Sequence, residues 1–346
     1  MAQDEKLEIL TQLFQNLSES EKTAFLVKVA GQSVSHSDIQ TTNTQTKSSL
    51  IQSQRKIIIC PVCGSTHAVR NGWKCGTQRY LCRECGKSFG DTENTILKST
   101  KKELDVWRVF IKCMIEKKSI RKCAEICKIS VPTSFLWRHK ILDALQNMMA
   151  DVQLNGVVEA DETFTAISYK GQKNRMPRKS HKRGTKASKR GLSEEKVCIP
   201  CGVNMNGLSI AKIANLGKPS WKDIKTVLGG KVEKGSVLVT DSFRGYYKLA
   251  NEMEVTHIRI PRKKYTNGAF NIQLLNNYHS QLKEMINVIF NGVSTKYLNN
   301  YVYNNMVNFS NGDDNFKKNV MFKYTMTTKC KRTRKDIYNR HLIPIV

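Results

Sequence analysis

Acidic side chains are in short supply: 29 Asp and Glu stand against 57 Lys and Arg, leaving a formal charge of +28 over 346 residues. A deficit of that size argues against basic partners and favours polyanions. Long apolar runs are missing too. No stretch approaches the roughly 18 to 20 apolar residues that span a bilayer. The opening segment, MAQDEKLEIL, lacks the basic start and apolar centre of a secretory signal, being acidic and amphipathic. Neither a basic amphipathic helix nor a lipidation motif occurs, which argues against a membrane surface as the partner. Nucleic acid remains, because each neutralised phosphate releases counterions. Without a secretory route, the 11 cysteines are expected to be metal ligands and buried thiols in a reducing compartment, not disulfides. There is no internal repeat.

What is present divides into segments. Length alone suggests two or three domains, and a 40% hydrophobic content is enough for packed cores. Residues 1–30 carry Leu7, Leu10, Leu13, Phe14 and Leu17, then Phe25, Leu26 and Val29, at helical spacing. Residues 31–55 are rich in Ser, Thr and Gln and read as a linker. Residues 56–92 hold the paired cysteines, and 100–150 read as helical. From Val157 onward β-rich runs appear over 157–160, 197–203, 208–214, 237–240 and 255–260. Helical stretches are expected at about 219–228, 243–252, 271–288 and 294–309. Strands interleaved with helices over 156–310 predict a layered α/β domain. Residues 311–346 read as a basic tail, with eight bases and no acid from Lys317 to Lys335.

The sequence CPVC, 18 residues, then CREC supplies Cys60, Cys63, Cys82 and Cys85. Zinc takes four tetrahedral ligands and suits thiolates, and two Cys-x-x-Cys turns brought together by a hairpin close such a site. Gly64 and Gly86 follow the two pairs as tight turns require. The spacing predicts a zinc ribbon, with Zn²⁺ structural and Cys75 spare. A second pair, Cys198 and Cys201, lacks a matching pair nearby and reads as buried thiols in a strand.

Residues 119–145 suggest two short helices joined by a turn at Ile129-Ser130-Val131, with Pro132 opening the second. Thr133, Ser134, Arg138 and Lys140 would point outward. A DNA-binding helix-turn-helix and an ordinary three-helix bundle both fit; the basic charge favours the first. Between Lys170 and Arg190 lie ten bases and no acid. This stretch repels itself and reads as a mobile loop, in which Arg178, Lys179, Lys182 and Arg183 are candidate phosphate contacts.

Asp161 follows the run VVEA and Asp241 follows VLVT, each at a probable strand end. Hard carboxylate oxygens bind Mg²⁺ or Mn²⁺ and suit phosphoryl transfer. Asp241, followed by Ser242-Phe243-Arg244, serves equally well as a cap. Asn276, His279 and Lys283 fall at i, i+3 and i+7, so one helical face can present all three. On these residues alone, His279 reads as a polar residue of the helix surface.

Together the stretches CPVCGSTHAVRNGWKCGTQRYLCRECGKSF, VVEADETF, PRKSHKRG, VLVTDSFRGY and NNYHSQLKEMINVIFNGVSTKYLNNYV resemble the DDE-type transposases of small bacterial insertion sequences, in particular the ISXO-type group with an N-terminal zinc ribbon. The resemblance covers most of the chain, from about Cys60 to Tyr303. It implies an RNase H-like catalytic domain behind the ribbon and a helix-turn-helix region. Asp161 and Asp241 match the first two acids of the metal-binding triad. The usual third acid, Glu, is absent: His279 stands at that position, with Asn276 three residues before it, and Lys283 matches the basic residue that follows. Related members also carry a neutral residue there, which is compatible with activity. The implied reaction is cleavage at the transposon ends and strand transfer to target DNA. The implied partners are double-stranded DNA and at least a second copy of the chain. The expected location is the bacterial cytoplasm, at the nucleoid. The alternative is a domesticated regulator that binds DNA without cutting it.

Overall fold

The computed structural model describes residues 47–54, 57–74, 76–150, 152–172 and 187–342. The expected helices of 1–30, Cys75, and the loop residues Arg178, Lys179, Lys182 and Arg183 lie outside these.

Part of the expected linker is ordered. Helix α1 spans Lys47–Gln54 and buries Leu50 and Ile51 in the main core. The polar average over 31–55 concealed this apolar pair. The ribbon follows as three antiparallel strands, β1 (Ala68–Lys74), β2 (Thr77–Cys82) and β3 (Ser88–Gly90). It has its own small core of Cys60, Tyr80, Cys82 and Phe89, and the Tyr80 and Phe89 rings lie 5.6 Å apart.

Three helices come next: α2 (Leu104–Ile115), α3 (Ile120–Ile126) and α4 (Val131–Ala150). Ser119 caps α3 by accepting from the Lys122 amide, and Lys128 turns the chain in the left-handed region at φ 48°. Trp107 of α2 stacks on Trp137 of α4 at 3.7 Å. Because α4 runs 20 residues, it continues beyond this unit and packs against the helices that follow the sheet.

The main sheet contains β4 (Val157–Ala166), β5 (Lys196–Asn204), β6 (Ser209–Ala211), β7 (Asn215–Leu216), β8 (Val237–Thr240) and β9 (Thr256–Arg259). Its order is β6-β5-β4-β8-β9, with β7 beside β5. The pairs β6–β5 and β5–β4 are antiparallel, whereas β4–β8 and β8–β9 are parallel. Helix α5 (Trp221–Leu228), opened by a Ser220–Asp223 capping box, leads into β8, and α6 (Gly245–Met253) connects β8 to β9. After β9 come a small hairpin, β10 (Thr266–Asn267) and β11 (Phe270–Asn271), then α7 (Gln273–Glu284) and α8 (Leu298–Phe309). β4 alternates its partners: Glu159 accepts from the Leu275 amide of α7, and Val158 lies on the side where Leu228 of α5 approaches Gly202.

Residues 311–346 are not a tail over the part described. Helix α9 (Asp314–Thr327) buries Met321, Phe322 and Met326, and α10 (Arg334–Tyr338) buries Ile337. The eight bases between Lys317 and Lys335 mask an apolar set spaced to cover α2 and α4. One continuous core therefore links α1, the three helices, the sheet and this C-terminal segment. Among the described residues no helix is long and apolar enough to cross a membrane.

Candidate active site and metal centre

The four ribbon cysteines converge. Their sulfurs all lie within 4.8 Å of one another, and they are the one group of three or more metal-ligand side chains so assembled among the described residues. The two knuckles repeat one geometry. The Gly64 amide donates to the Cys60 carbonyl at 3.1 Å, and the Gly86 amide to the Cys82 carbonyl at 3.0 Å. Gly64 and Gly86 take φ of 76° and 66°, which a side chain would strain. Cys60 Sγ lies 3.6 Å from Cys85 Sγ, and Cys63 Sγ 3.5 Å from Cys82 Sγ. Sulfurs about 2.3 Å from a tetrahedral zinc stand roughly 3.8 Å apart, whereas a disulfide would need about 2.05 Å. Backbone amides aimed at the sulfurs, that of Cys63 foremost, lower Cys60 to about 6, and that of Cys85 foremost lowers Cys82. Burial and the neighbouring sulfurs raise Cys63 and Cys85 instead, so it is the convergence of the four sulfurs that fits zinc.

The second site is built by strand register. Ala160 of β4 pairs with Thr240 of the parallel β8, so Asp161 and Asp241 are the next residues on adjacent strands, which lie roughly 5 Å apart. β8 stops at Thr240 while β4 continues. Asp241 Oδ1 accepts from the Phe243 amide at 2.8 Å, which closes a local turn two residues long; the N-cap of α6 is Arg244, so Asp241 is not the helix cap that its sequence allowed. Burial first, and then the Asp241 charge, push Asp161 up to about 6, with Lys283 opposing. A close, half-hidden carboxylate pair of this kind is electrostatically short of a cation. Its hard oxygens fit Mg²⁺ or Mn²⁺.

Of the three expected companions on helix α7, Lys283 is the one whose charge reaches Asp161; among the described residues, His279 does not close with Asp161 and Asp241 into one group of ligand atoms. His279 is buried, not a surface residue as its local sequence suggested. Burial first, then Lys283, hold it down to about 4, so the ring is neutral near pH 7. Its Nε2 is buried and has no hydrogen-bond partner among the described residues. A neutral imidazole with an unused nitrogen can serve as a ligand. Lys283 lies close enough for its charge to act on both Asp161 and His279. Asn276 is exposed on the flank of the helix.

One site residue escaped the sequence reading. Glu162 follows Asp161, and burial first, then the Asp161 charge, push its carboxyl up to about 7. Beside it lies the buried Tyr246 hydroxyl, whose hydrogen bond opposes the rise of the carboxyl. An acid kept inside a strand beside another acid was the available signal.

The expected outward contacts of α4 need correction. Arg138 is 2% exposed. Its guanidinium donates to the Lys118 carbonyl and to Cys123 Sγ at 3.2 Å, and lies 5.2 Å above the Phe290 ring. Ser134 is buried and donates to the Ile120 carbonyl at 2.8 Å. Lys140 is half-buried, and burial lowers its ammonium. The cause is position: α4 is covered by neighbours along most of its length, leaving Val131 and Pro132 exposed at its start. Exposed bases of this unit include Arg121, Lys128 and Lys122, the last paired with Glu125 at 2.8 Å, on α3 and the turn. Cys198 and Cys201 are buried, and burial pushes both thiols up.

An antiparallel three-strand meander, followed by two parallel strands beside β4, with carboxylates where β4 and β8 meet, fits an RNase H-like domain. Residues 153–309 match the family model of the ISXO2-like transposase domain. The chain is also 25% identical over 256 residues to an uncharacterized protein in transposable element ISH50 of Halobacterium salinarum, spanning 72% of this chain and 84% of that protein. Among solved structures, a pre-cleavage Mos1 transpososome aligns with 63% of this chain and 75% of that one, at 8% identity and a TM-score of 0.25. That likeness is too slight to bear on the assignment.

Proposed function

We propose that this transposase binds the double-stranded ends of its insertion sequence, cuts them and joins them to target DNA. The observation that carries the reading is the register that sets Asp161 beside Asp241 inside the matched domain. Asp161 and Asp241 would hold Mg²⁺ or Mn²⁺; His279 would complete the shell or position water only after α7 moves, since its ligand atoms are not grouped with theirs among the described residues. When bound, such ions activate an attacking oxygen and stabilise a leaving one. The protein's own part is positioning. Glu159 fixes the start of α7 against β4 through the Leu275 amide at 2.8 Å, which would hold Lys283 within reach of Asp161. Lys283 would grip a phosphate oxygen, and Asn276, on the exposed flank, would meet DNA or order water. The first step breaks a phosphodiester with water and frees a 3′-hydroxyl. In the second, the oxygen of that hydroxyl would attack a target phosphate, forming a new phosphodiester while the target's 3′-oxygen leaves as a hydroxyl. Neither requires a covalent protein intermediate.

The ribbon, stabilised by Zn²⁺, and the exposed start of α4 with Arg121, Lys122 and Lys128 would hold the ends. The loop with Arg178, Lys179, Lys182 and Arg183 would contact backbone near the site. Two ends must be brought together, so the working form would be a dimer or larger, acting in the cytoplasm at the nucleoid. A fragment of the element with its own ends, Mg²⁺ and a target plasmid test this. Asp161→Asn and Asp241→Asn are expected to lower cutting by at least about a thousandfold while binding persists. Cutting at the wild-type rate in both variants would sink the catalytic reading. Binding without cutting in the wild type would favour the DNA-binding regulator, a reading that the loss of the usual acid at His279 keeps in view.

A further inference from the structure

The segment between β9 and α7 has no part in the site as described so far, yet it starts from it. The Ile260 amide donates to the Thr240 carbonyl at 2.8 Å, and Ser242 Oγ donates to the Ile260 carbonyl at 2.9 Å. The chain that leaves the sheet at Ile260 is therefore tied to the residues on either side of Asp241. It then runs through Pro261, Arg262, Lys263, Lys264 and Tyr265 into the β10–β11 hairpin, and residues 261–269 are all exposed. The hairpin closes with the two-residue loop Gly268-Ala269 between the paired Asn267 and Phe270. Gly268 supplies the required φ of 59°.

The projection is anchored at both ends. Asn267 Nδ2 donates to the Arg259 carbonyl at 2.9 Å, and Asn271 Oδ1 accepts from the Gln273 amide at 2.9 Å at the start of α7. Tyr265 is 88% exposed, the highest value among the exposed large apolar and aromatic side chains described. An aromatic ring displayed in that way contributes little to folding and costs solubility. No acid occurs between Glu254 and Glu284, so Arg259, Arg262, Lys263 and Lys264 form an unopposed cationic strip around the ring.

We propose that this hairpin is a stacking platform for an unpaired nucleotide beside the bond that is cut, with Tyr265 under the base and Arg262, Lys263 and Lys264 on its flanking phosphates. A ring with neighbouring cations is the combination that binds single strands, since every base offers a face and every link a charge. Within a duplex those faces are covered, so the platform acts on a frayed end or an extruded base. The proposal rests on the reading of DNA cutting only for where such a base arises.

The test uses the full chain and two probes: a blunt duplex, and the same duplex with a short unpaired extension carrying 2-aminopurine. Wild type is expected to bind the extended probe about tenfold more tightly and to quench its fluorescence. Tyr265→Ala should remove the preference and the quenching, and leave blunt-duplex binding and the thermal midpoint unchanged. Tyr265→Phe should keep both. Replacing Arg262, Lys263 and Lys264 with Ala should weaken both probes and flatten the salt dependence. Equal affinity of the wild type for the two probes, a preference that survives Tyr265→Ala, or a triple variant that binds as wild type would overturn the proposal. A wild-type preference without cutting in Mg²⁺ would leave the platform standing and remove the catalytic reading. Cutting without a preference would do the reverse.

Discussion

At the scale of single residues, His139 and the ribbon cysteines give the sharpest expectations. His139 is enclosed by Phe135, Tyr297 and Tyr301, and burial first, then Arg340, Arg138 and Lys296, hold it well below its ordinary 6.5. Below that value the unfolded chain takes up a proton that the folded chain refuses. Stability should therefore fall as pH drops through about 6.5, by up to about 1.4 kcal/mol per pH unit from this residue. Urea unfolding of wild type and His139→Gln across that interval would measure it as the difference in slope. Cys82→Ser should abolish stoichiometric zinc, read by metal analysis of the purified protein, because the remaining three thiols cannot close the tetrahedron. The ribbon ligands were legible in the sequence because their chemistry is local: four sulfurs, two turns, one hairpin. Arg138 was not. A base in a strongly basic chain reads as outward until the Lys118 carbonyl and the Phe290 ring are seen around it, and these come from elsewhere in the fold.

At the scale of elements, α4 and its neighbours decide how the helical unit sits on the sheet. Asp143 of α4 is buried and accepts from Arg332 Nε at 3.2 Å, from Asn300 Nδ2 of α8 at 2.9 Å, and from Arg340. Breaking a buried pair by removing one partner costs about 3 to 5 kcal/mol. Asp143→Ala should approach the lower figure, because Arg332 retains access to water. Arg340→Ala should cost less, since it leaves Asp143 with Arg332 and Asn300. Chemical denaturation of the two variants orders them, and an Arg340 variant weaker than the Asp143 variant would contradict the assignment. The strands and helices of the main sheet could be read closely from their apolar periodicity, as β8 illustrates over Val237–Thr240. α9 could not, because Met321, Phe322 and Met326 sit among lysines and its apolar face is narrow.

At the scale of the whole molecule there are two cores of unequal size: the four-residue core of the ribbon and the continuous one beneath the rest. So small a core cannot hold its strands alone. Zinc chelation should therefore unfold the ribbon and spare the sheet, with amide exchange rising over residues 57–90 and unchanged over β4, β5 and β8. Uniform exchange over both would show a single cooperative unit. The link between Asp143 and Arg340 spans 197 positions of sequence. On the ribosome, α4 and the sheet emerge long before the arginine that completes their charge balance. Until then Asp143 is an acid facing a closing core with one of its cations still untranslated. The mutual orientation of the three-helix unit and the Asp161–Asp241 pair is thus among the last things the nascent protein can fix, and a product interrupted just short of Arg340 would carry both aspartates on a frame not yet locked.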